Sequence, residues 1–373
     1  MNGNIRIGNL FGIPFYINPS WFLVLGLVTL TFGNQLTLFP QLSGFTSLLL
    51  GFVAAILLFA SVLAHELGHS LAALSQGIDV KSITLFIFGG LASLEKESKS
   101  PLEAFLVAAA GPLVSLILFG IFTAINVSFA LSGLLGAIVS LLASINLILA
   151  LFNLLPGLPL DGGNILKSLV WKITGNQYKG VVIASRVGQG LGWLAVTLGI
   201  LAVLGISQIG SFWTLLIGGF LLLNASRSAQ FATVQEKLNE LTAEEAVTPN
   251  SPVISEDLTL RNFVNEYVIG NEVWRKFLVV NDEGKLLGAI AVDDLKQIPT
   301  SDWTTVNVSE LLQPVDTETI LSPNQTLLEV LSIFEQRQLQ QLPVVRENGV
   351  VMGLLEKNGI LRLLQKKDME RQF

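Results

Sequence analysis

The sequence predicts an α-helical polytopic membrane domain of about six transmembrane helices with a small membrane-associated β-sheet, followed by a cytoplasmic α+β half. Three observations carry this. Of 373 residues, 51% are hydrophobic and only 13% charged, and the mean hydropathy is +0.63, too apolar for an ordinary soluble chain. Charge is unevenly spread: 8 Lys/Arg against 6 Asp/Glu up to Ser226, then 14 against 22 from Arg227 onward. The second half also contains an internal repeat. Its acidic excess argues against nucleic acid as a partner and reads as a solvated surface. The absence of cysteine excludes disulfides, cysteine nucleophiles and thiolate metal sites. The N-terminal "MNGNIRIGNLFGIPFYINPSW" lacks the basic start and small-residue cleavage site of a secretory signal, so the first apolar segment is expected to stay.

Six apolar stretches follow one another, roughly at 19–36, 46–76, 101–125, 132–155, 188–205 and 211–225. A spanning helix needs about 20 residues, so the third and fourth qualify on length and the second exceeds it, while the first and fifth are short. Topology supports the short ones. Every Lys and Arg of this half (Arg6, Lys81, Lys96, Lys99, Lys167, Lys172, Lys179 and Arg186) falls before the first stretch or after an even-numbered one. The positive-inside rule then puts both termini and the charged loops in the cytoplasm, as in a multi-pass protein with six spans.

The second stretch holds "SVLAHELGHSLAAL", residues 61–74, with both histidines of the chain. Helix geometry separates His65 and His69 by about 40° and one turn, with Glu66 on the adjoining flank. Two imidazoles can then hold one ion while the carboxylate reaches its bound water, the HExxH arrangement of zinc peptidases. The ion expected is one zinc per chain. Zinc needs a third protein ligand, and the other acidic residues of this half are Asp79, Glu95, Glu97, Glu103 and Asp161. The first four sit in or beside a charged loop, where solvation explains them. Asp161 lies in "NLLPGLPLDGGNIL", where prolines break the helix and Gly-Gly allows close backbone approach. Alone it reads as a turn aspartate capping the next helix; beside a zinc site short of a ligand it reads as the third. With the helix ending near Gln76, His65 would lie about 16 Å inside the membrane, so water must reach it from the cytoplasmic side.

"HELGH" in the second stretch and "NLLPGLPLDGG" after the fourth resemble the site-2 protease family of intramembrane zinc metalloproteases. "AAAGPLVS", residues 108–115, is similar to its Gly-Pro motif, and "FIFGGLASL", residues 86–94, to its Gly-Gly segment. The resemblance covers about residues 1–225 and implies His65, His69 and Asp161 as zinc ligands and Glu66 as catalytic base. It further implies contact of Asn153, Gly89 and Gly90 with substrate or intermediate. The substrate it implies is a membrane-spanning regulatory protein within the lipid bilayer. "ITLFIFGGLASL" alternates loosely and reads either as a strand edge for an unwound substrate or as a purely structural hairpin. "NIRIGNLFGIPFYIN" is expected to add a strand to that sheet.

In the second half, "FLVVNDEGKLLGAIAVDDLKQI" from Phe277 aligns with "LPVVRENGVVMGLLEKNGILRLL" from Leu342. Val279 matches Val344, Gly284 Gly349, Gly288 Gly353 and Leu295 Ile360, each 65 residues apart. Each copy reads as strand, turn, strand, helix, preceded by a Ser-Pro turn and an amphipathic helix. This resembles a pair of CBS modules at 245–370, joined to the membrane domain (1–225) by a linker helix (226–244). The resemblance implies an adenine nucleotide, with Asp294 on its ribose, although Ala291 replaces the usual Ser/Thr and the second copy has Glu356 and Gly359 at these positions. A structural or dimerising pair, giving a homodimer, is the other reading. The rival for the whole chain is a CBS-regulated channel or transporter whose histidine helix lines a pore.

Overall fold

The computed structural model describes residues 3–36, 44–87, 89–248, 251–269 and 274–370, which form two units, Met1–Thr233 and Val234–Phe373. In the first, strands β1 (Ile5–Leu10) and β2 (Ile13–Ile17) form a hairpin. Its turn is made by Phe11 and Gly12, at φ 51° and 83°. The single strand expected from this segment is therefore two, because a two-residue turn with positive φ closes a hairpin. Helices α1 (Ser20–Leu36) and α2 (Gly44–Ser75) then cross over, so β2 pairs in parallel with β3 (Val80–Phe86). β4 (Gly89–Leu94) returns antiparallel to β3 and closes a four-stranded sheet of order β1-β2-β3-β4. Its alternating inner face, Ile13, Phe15, Ile17, Ile83 and Leu85, packs on Trp21 of α1 and Phe59 of α2. The sheet is thus anchored on the helix that carries the histidine motif.

Helix α3 (Pro101–Ser128) starts at Ser100, whose Oγ accepts from the Glu103 amide, with proline at its first position. Helices α4 (Gly133–Asn153), α5 (Asp161–Thr174), α6 (Gln177–Val203) and α7 (Phe212–Glu240) follow. Among the described residues, α2, α3, α4 and α6 are long and apolar enough to cross a membrane. α1 is apolar but shorter, and the apolar start of α7 runs directly into "SRSAQFATVQEKLNE". The amphipathic α5 lies between the fourth and fifth expected spans and closes at Gly175, φ 69°.

Close backbone approach sets the helix packing. A Cβ on Gly51 would lie 2.5 Å from the Thr29 carbonyl oxygen and 2.6 Å from Gly33 N, so glycine is what lets α2 lie against α1. The buried Asn146 of α4 donates to Ser61 Oγ of α2 at 3.0 Å, a polar stitch one turn before His65.

The second unit repeats its topology. β5 (Val253–Ser255) and the short α8 (Leu260–Phe263) precede the hairpin β6 (Lys276–Val280) and β7 (Leu286–Ala291). Helix α9 (Leu327–Arg337) precedes β8 (Gln341–Val345), β9 (Val351–Glu356) and α10 (Lys357–Glu370). The registers coincide: Val279 faces Gly288 in the first hairpin and Val344 faces Gly353 in the second, each with an irregularity one residue later. The two turns use Gly284 and Gly349 at φ 72° and 86°. Each copy has its own core, around Phe263 and Phe277 in one and Phe334 and Leu342 in the other. The helix expected after β7 is instead a 3-10 turn, Val292–Gln297, cut short because Pro299 disfavours helix at the residue before it.

Gly51→Ala is expected to destabilise the membrane unit by about 1–3 kcal/mol through overpacking of α1 on α2, read as a lower melting temperature in detergent.

Candidate metal centre

His65 is placed ten residues, about 15 Å, before the end of α2 and is 2% exposed. His69 lies one turn on. Across from them, Asp161 is the first residue of α5. The cap position is taken by Leu160, with no side-chain capping bond, so the capping role does not describe Asp161. Its carboxylate turns to the histidines instead, from a helix first turn that favours negative charge. Asp161 Oδ2 is 3.0 Å from His65 Nε2 and 3.2 Å from His69 Nε2, and the two Nε2 atoms are 3.3 Å apart. Among the described residues this is the one group of three potential metal ligands.

The remaining ring nitrogens show what these atoms are prepared for. His69 Nδ1 is 2.7 Å from the Val107 carbonyl oxygen, which can only accept, so Nδ1 of the neutral ring carries the proton and Nε2 presents a lone pair. His65 Nδ1 is 3.0 Å from Ser115 Oγ. With Nδ1 protonated on both rings, three lone pairs converge at a spacing that suits a cation among them. Zinc–ligand distances of about 2.0–2.1 Å give a tetrahedral edge of about 3.3 Å, against the observed 3.0, 3.2 and 3.3 Å. The donor set fits zinc: two imidazoles, one carboxylate and room for water.

The room is a cavity of about 650 Å³ lined by the three ligands together with Glu66, Gly90 and Asn153. The Glu66 carboxylate lies beside the backbone amide of Ala92 in β4. Gly90 is close to the same side chain: a Cβ there would lie 2.3 Å from Glu66 Cγ. Its absence of a side chain makes space for Glu66, a role that the substrate-contact expectation did not include. Gly89 opens β4 at φ 133° and is not among the residues lining the cavity. Sequence reasoning also missed Lys167, Gln177 and Asn224, which give the cavity polar walls, and Glu97, which Gln177 hydrogen-bonds.

Helix α3 supplies supports: Gly111 and Ser115 belong to the Gly-Pro stretch at 108–115, noted in the sequence without a role for either, and Val107 just before it went unnoticed. Val107, Gly111 and Ser115 recur every four residues on one face, the helical signal that could have found them. A Cβ on Gly111 would lie 2.2 Å from His69 Nε2, so the ring occupies the space of the missing side chain. In the second unit Asp294 is 9% exposed with both oxygens engaged, Oδ2 accepting from Ala291 N at 2.7 Å and Oδ1 from Gln313 Nε2 at 2.8 Å.

Gly111→Ala must therefore push the His69 ring off its position. The expected outcome is loss of most bound zinc by elemental analysis, with helix content by circular dichroism unchanged.

Residues 53–138 and 120–195 match peptidase family M50, and residues 308–366 match the CBS domain. A relative in Synechocystis sp., named as a zinc metalloprotease, is 59% identical over 98% of this chain and 96% of its own length. Another so named, in Mycobacterium tuberculosis, is 29% identical over 98% of this chain and 93% of its own. The solved site-2 protease from Methanocaldococcus jannaschii is 29% identical with a TM-score of 0.45, covering 61% of this chain and 95% of that one. With a relative 59% identical along almost its whole length, the chain belongs to peptidase family M50, the site-2 protease family, and carries a CBS domain.

Proposed function

We infer that this chain is a zinc-dependent intramembrane protease that hydrolyses a peptide bond in or beside a transmembrane segment of a membrane-spanning substrate. The observation that carries the reading is the convergence of His65 Nε2, His69 Nε2 and Asp161 Oδ2 in a cavity that also holds Glu66. Zinc held by these three residues would lower the pKa of a bound water to about 7. Glu66 accepts the proton of that water at its carboxylate and returns it to the departing amine, so one water is consumed and one peptide bond opened. Asn153, on the cavity wall, is assigned to contact with the substrate or its intermediate. Lys167, Gln177 and Asn224 support a hydrated route to the centre. An intramembrane carboxylate is costly unless paired or ligated, which supports functional roles for Glu66 and Asp161. A pore-lining role for the histidine helix gives no reason for a glutamate beside the ligands or for the family membership.

Among the described residues β4 pairs only with β3, and the backbone of Ala92 in β4 lies beside Glu66. That supports an unwound substrate adding to β4 as an extended strand, past the Gly89-Gly90 backbone. The six-span arrangement with both termini cytoplasmic is supported by the placement of all eight Lys and Arg residues of the first half. The domain reading is a protease domain at 1–225, a linker helix at 226–244 and paired CBS modules at 245–370; the register shared by the two hairpins supports the pair. The modules are assigned to regulation, through an adenine nucleotide or through pairing of two copies.

Glu66→Gln is expected to abolish cleavage of co-expressed single-span proteins while retaining one zinc per chain; Asp161→Ala is expected to lose the zinc as well. A Glu66→Gln protein that still cleaves would overturn the catalytic assignment. Reporters fused after Gln76 or Lys172 should face the cytoplasm, and one at Gln41, which lies outside the described residues, the opposite side. Asp294→Ala leaves Ala291 N and Gln313 Nε2 without their acceptor, so it is expected to destabilise the second unit by about 1–3 kcal/mol before any nucleotide is added. A nucleotide role for Asp294 therefore requires that ATP or AMP raise the melting temperature of the wild type and leave that of the variant unmoved.

A further inference from the structure

Ser115 is 0% exposed in the middle of α3, and its hydroxyl is 3.0 Å from His65 Nδ1. The two histidines are held differently. Behind His69 stands the Val107 carbonyl, 2.7 Å from Nδ1, an acceptor only, so the proton on His69 Nδ1 is fixed by the backbone. Behind His65 stands a hydroxyl, which can donate or accept. The difference matters because His65 Nε2 is 3.0 Å from Asp161 Oδ2. Without a metal, a neutral His65 satisfies that carboxylate best with its proton on Nε2, and Nδ1 then accepts from Ser115. With a metal on Nε2 the proton must sit on Nδ1, and Ser115 Oγ must accept it. The same two atoms serve both states, and the proton count of the ring does not change. A carbonyl in place of Ser115 would leave the metal-free His65–Asp161 bond unmade; a methyl would leave Nδ1–H without a partner in the buried, metal-bound state.

We propose that Ser115 is a positioning residue for the metal centre, accepting the Nδ1 proton of His65 when Nε2 binds zinc and donating to Nδ1 when it does not. Val107 and Ser115 lie eight residues apart on one face of α3, with Gly111 between them giving room to the His69 ring. One helix thereby orients both imidazoles of its neighbour. The inference rests on the zinc reading of the site but concerns a residue outside the ligand set. Partners of this kind usually change metal affinity by 10- to 100-fold.

The test uses the full-length protein in detergent, with the zinc dissociation constant measured by competition against a chromogenic chelator. Ser115→Ala, a small substitution that preserves packing, is expected to bind zinc about 10- to 100-fold more weakly. Its metal-free melting temperature checks that it is folded. Ser115→Thr, which keeps the hydroxyl, should recover most of the affinity. Ser185→Ala, a buried hydroxyl on α6 away from the histidines, should bind as the wild type does. Nitrogen NMR of the ring should show the proton of His65 on Nδ1 with zinc and on Nε2 without it. A folded Ser115→Ala protein with wild-type zinc affinity would overturn the proposal. A wild type that binds no zinc would overturn the reading of the site itself.

Discussion

Three electron-pair donors held within about 3 Å of one another in an apolar helix bundle are the constraint on which the rest of the membrane unit depends. With both rings protonated at Nδ1, two imidazole nitrogens and a carboxylate oxygen at this spacing present lone pairs to one another; a proton on His65 Nε2 instead bridges to Asp161. A cation or a bridging proton has to lie among these atoms, and the surrounding structure has to hold the three in place. Much of the helix packing can be understood as answering it. Glycine at position 68 admits α3 within contact of α2, where a Cβ would meet the Ala110 carbonyl oxygen at 2.9 Å. Glycines at 162 and 163 press α5 onto the preceding loop, where Cβ atoms would lie 2.3 Å from the Leu154 oxygen and 2.2 Å from Leu158 N. These contacts fix Asp161 at the height of the histidines.

The histidine pair and its glutamate were legible because a 3.6-residue period turns a four-residue spacing into a shared face without any tertiary knowledge. Asp161 could be reached only by elimination, since its local sequence also suits a helix cap; what separates the two readings is the orientation of one side chain. Gly90 shows where such reasoning ends. Its sequence context suggests backbone accessible to a substrate, and its α-carbon also lies against Glu66, a contact between strand and helix that no local pattern encodes. Val107 escaped for a simpler reason: the atom that matters is a backbone carbonyl, which every residue carries. The long apolar helices were evident from composition, while α5, polar on one face and close to a proline-rich loop, was hidden among turn signals.

The second unit teaches the complementary lesson. Matching residues 65 apart specify matching hairpin registers, because a glycine-centred turn of fixed length pins the pairing. Divergence begins after the second strand. The first copy ends in the 3-10 turn Val292–Gln297, and the second continues into α10. Asp294 belongs to that divergence: it ties the 3-10 turn to Ala291 and reaches Gln313. A ribose would have to compete with those two donors, so a residue at the expected ligand position here has a structural use already.

The base and the sheet are coupled in a related way. Ala92 pairs with Ile83 in register, and its backbone amide lies beside the Glu66 carboxylate. Antiparallel and parallel strands alike add to an edge through such amides. The edge of β4 that pairs with no other strand among the described residues and the base thus lie side by side, and Gly90, whose missing side chain lets Glu66 approach the strand, is what makes room for both.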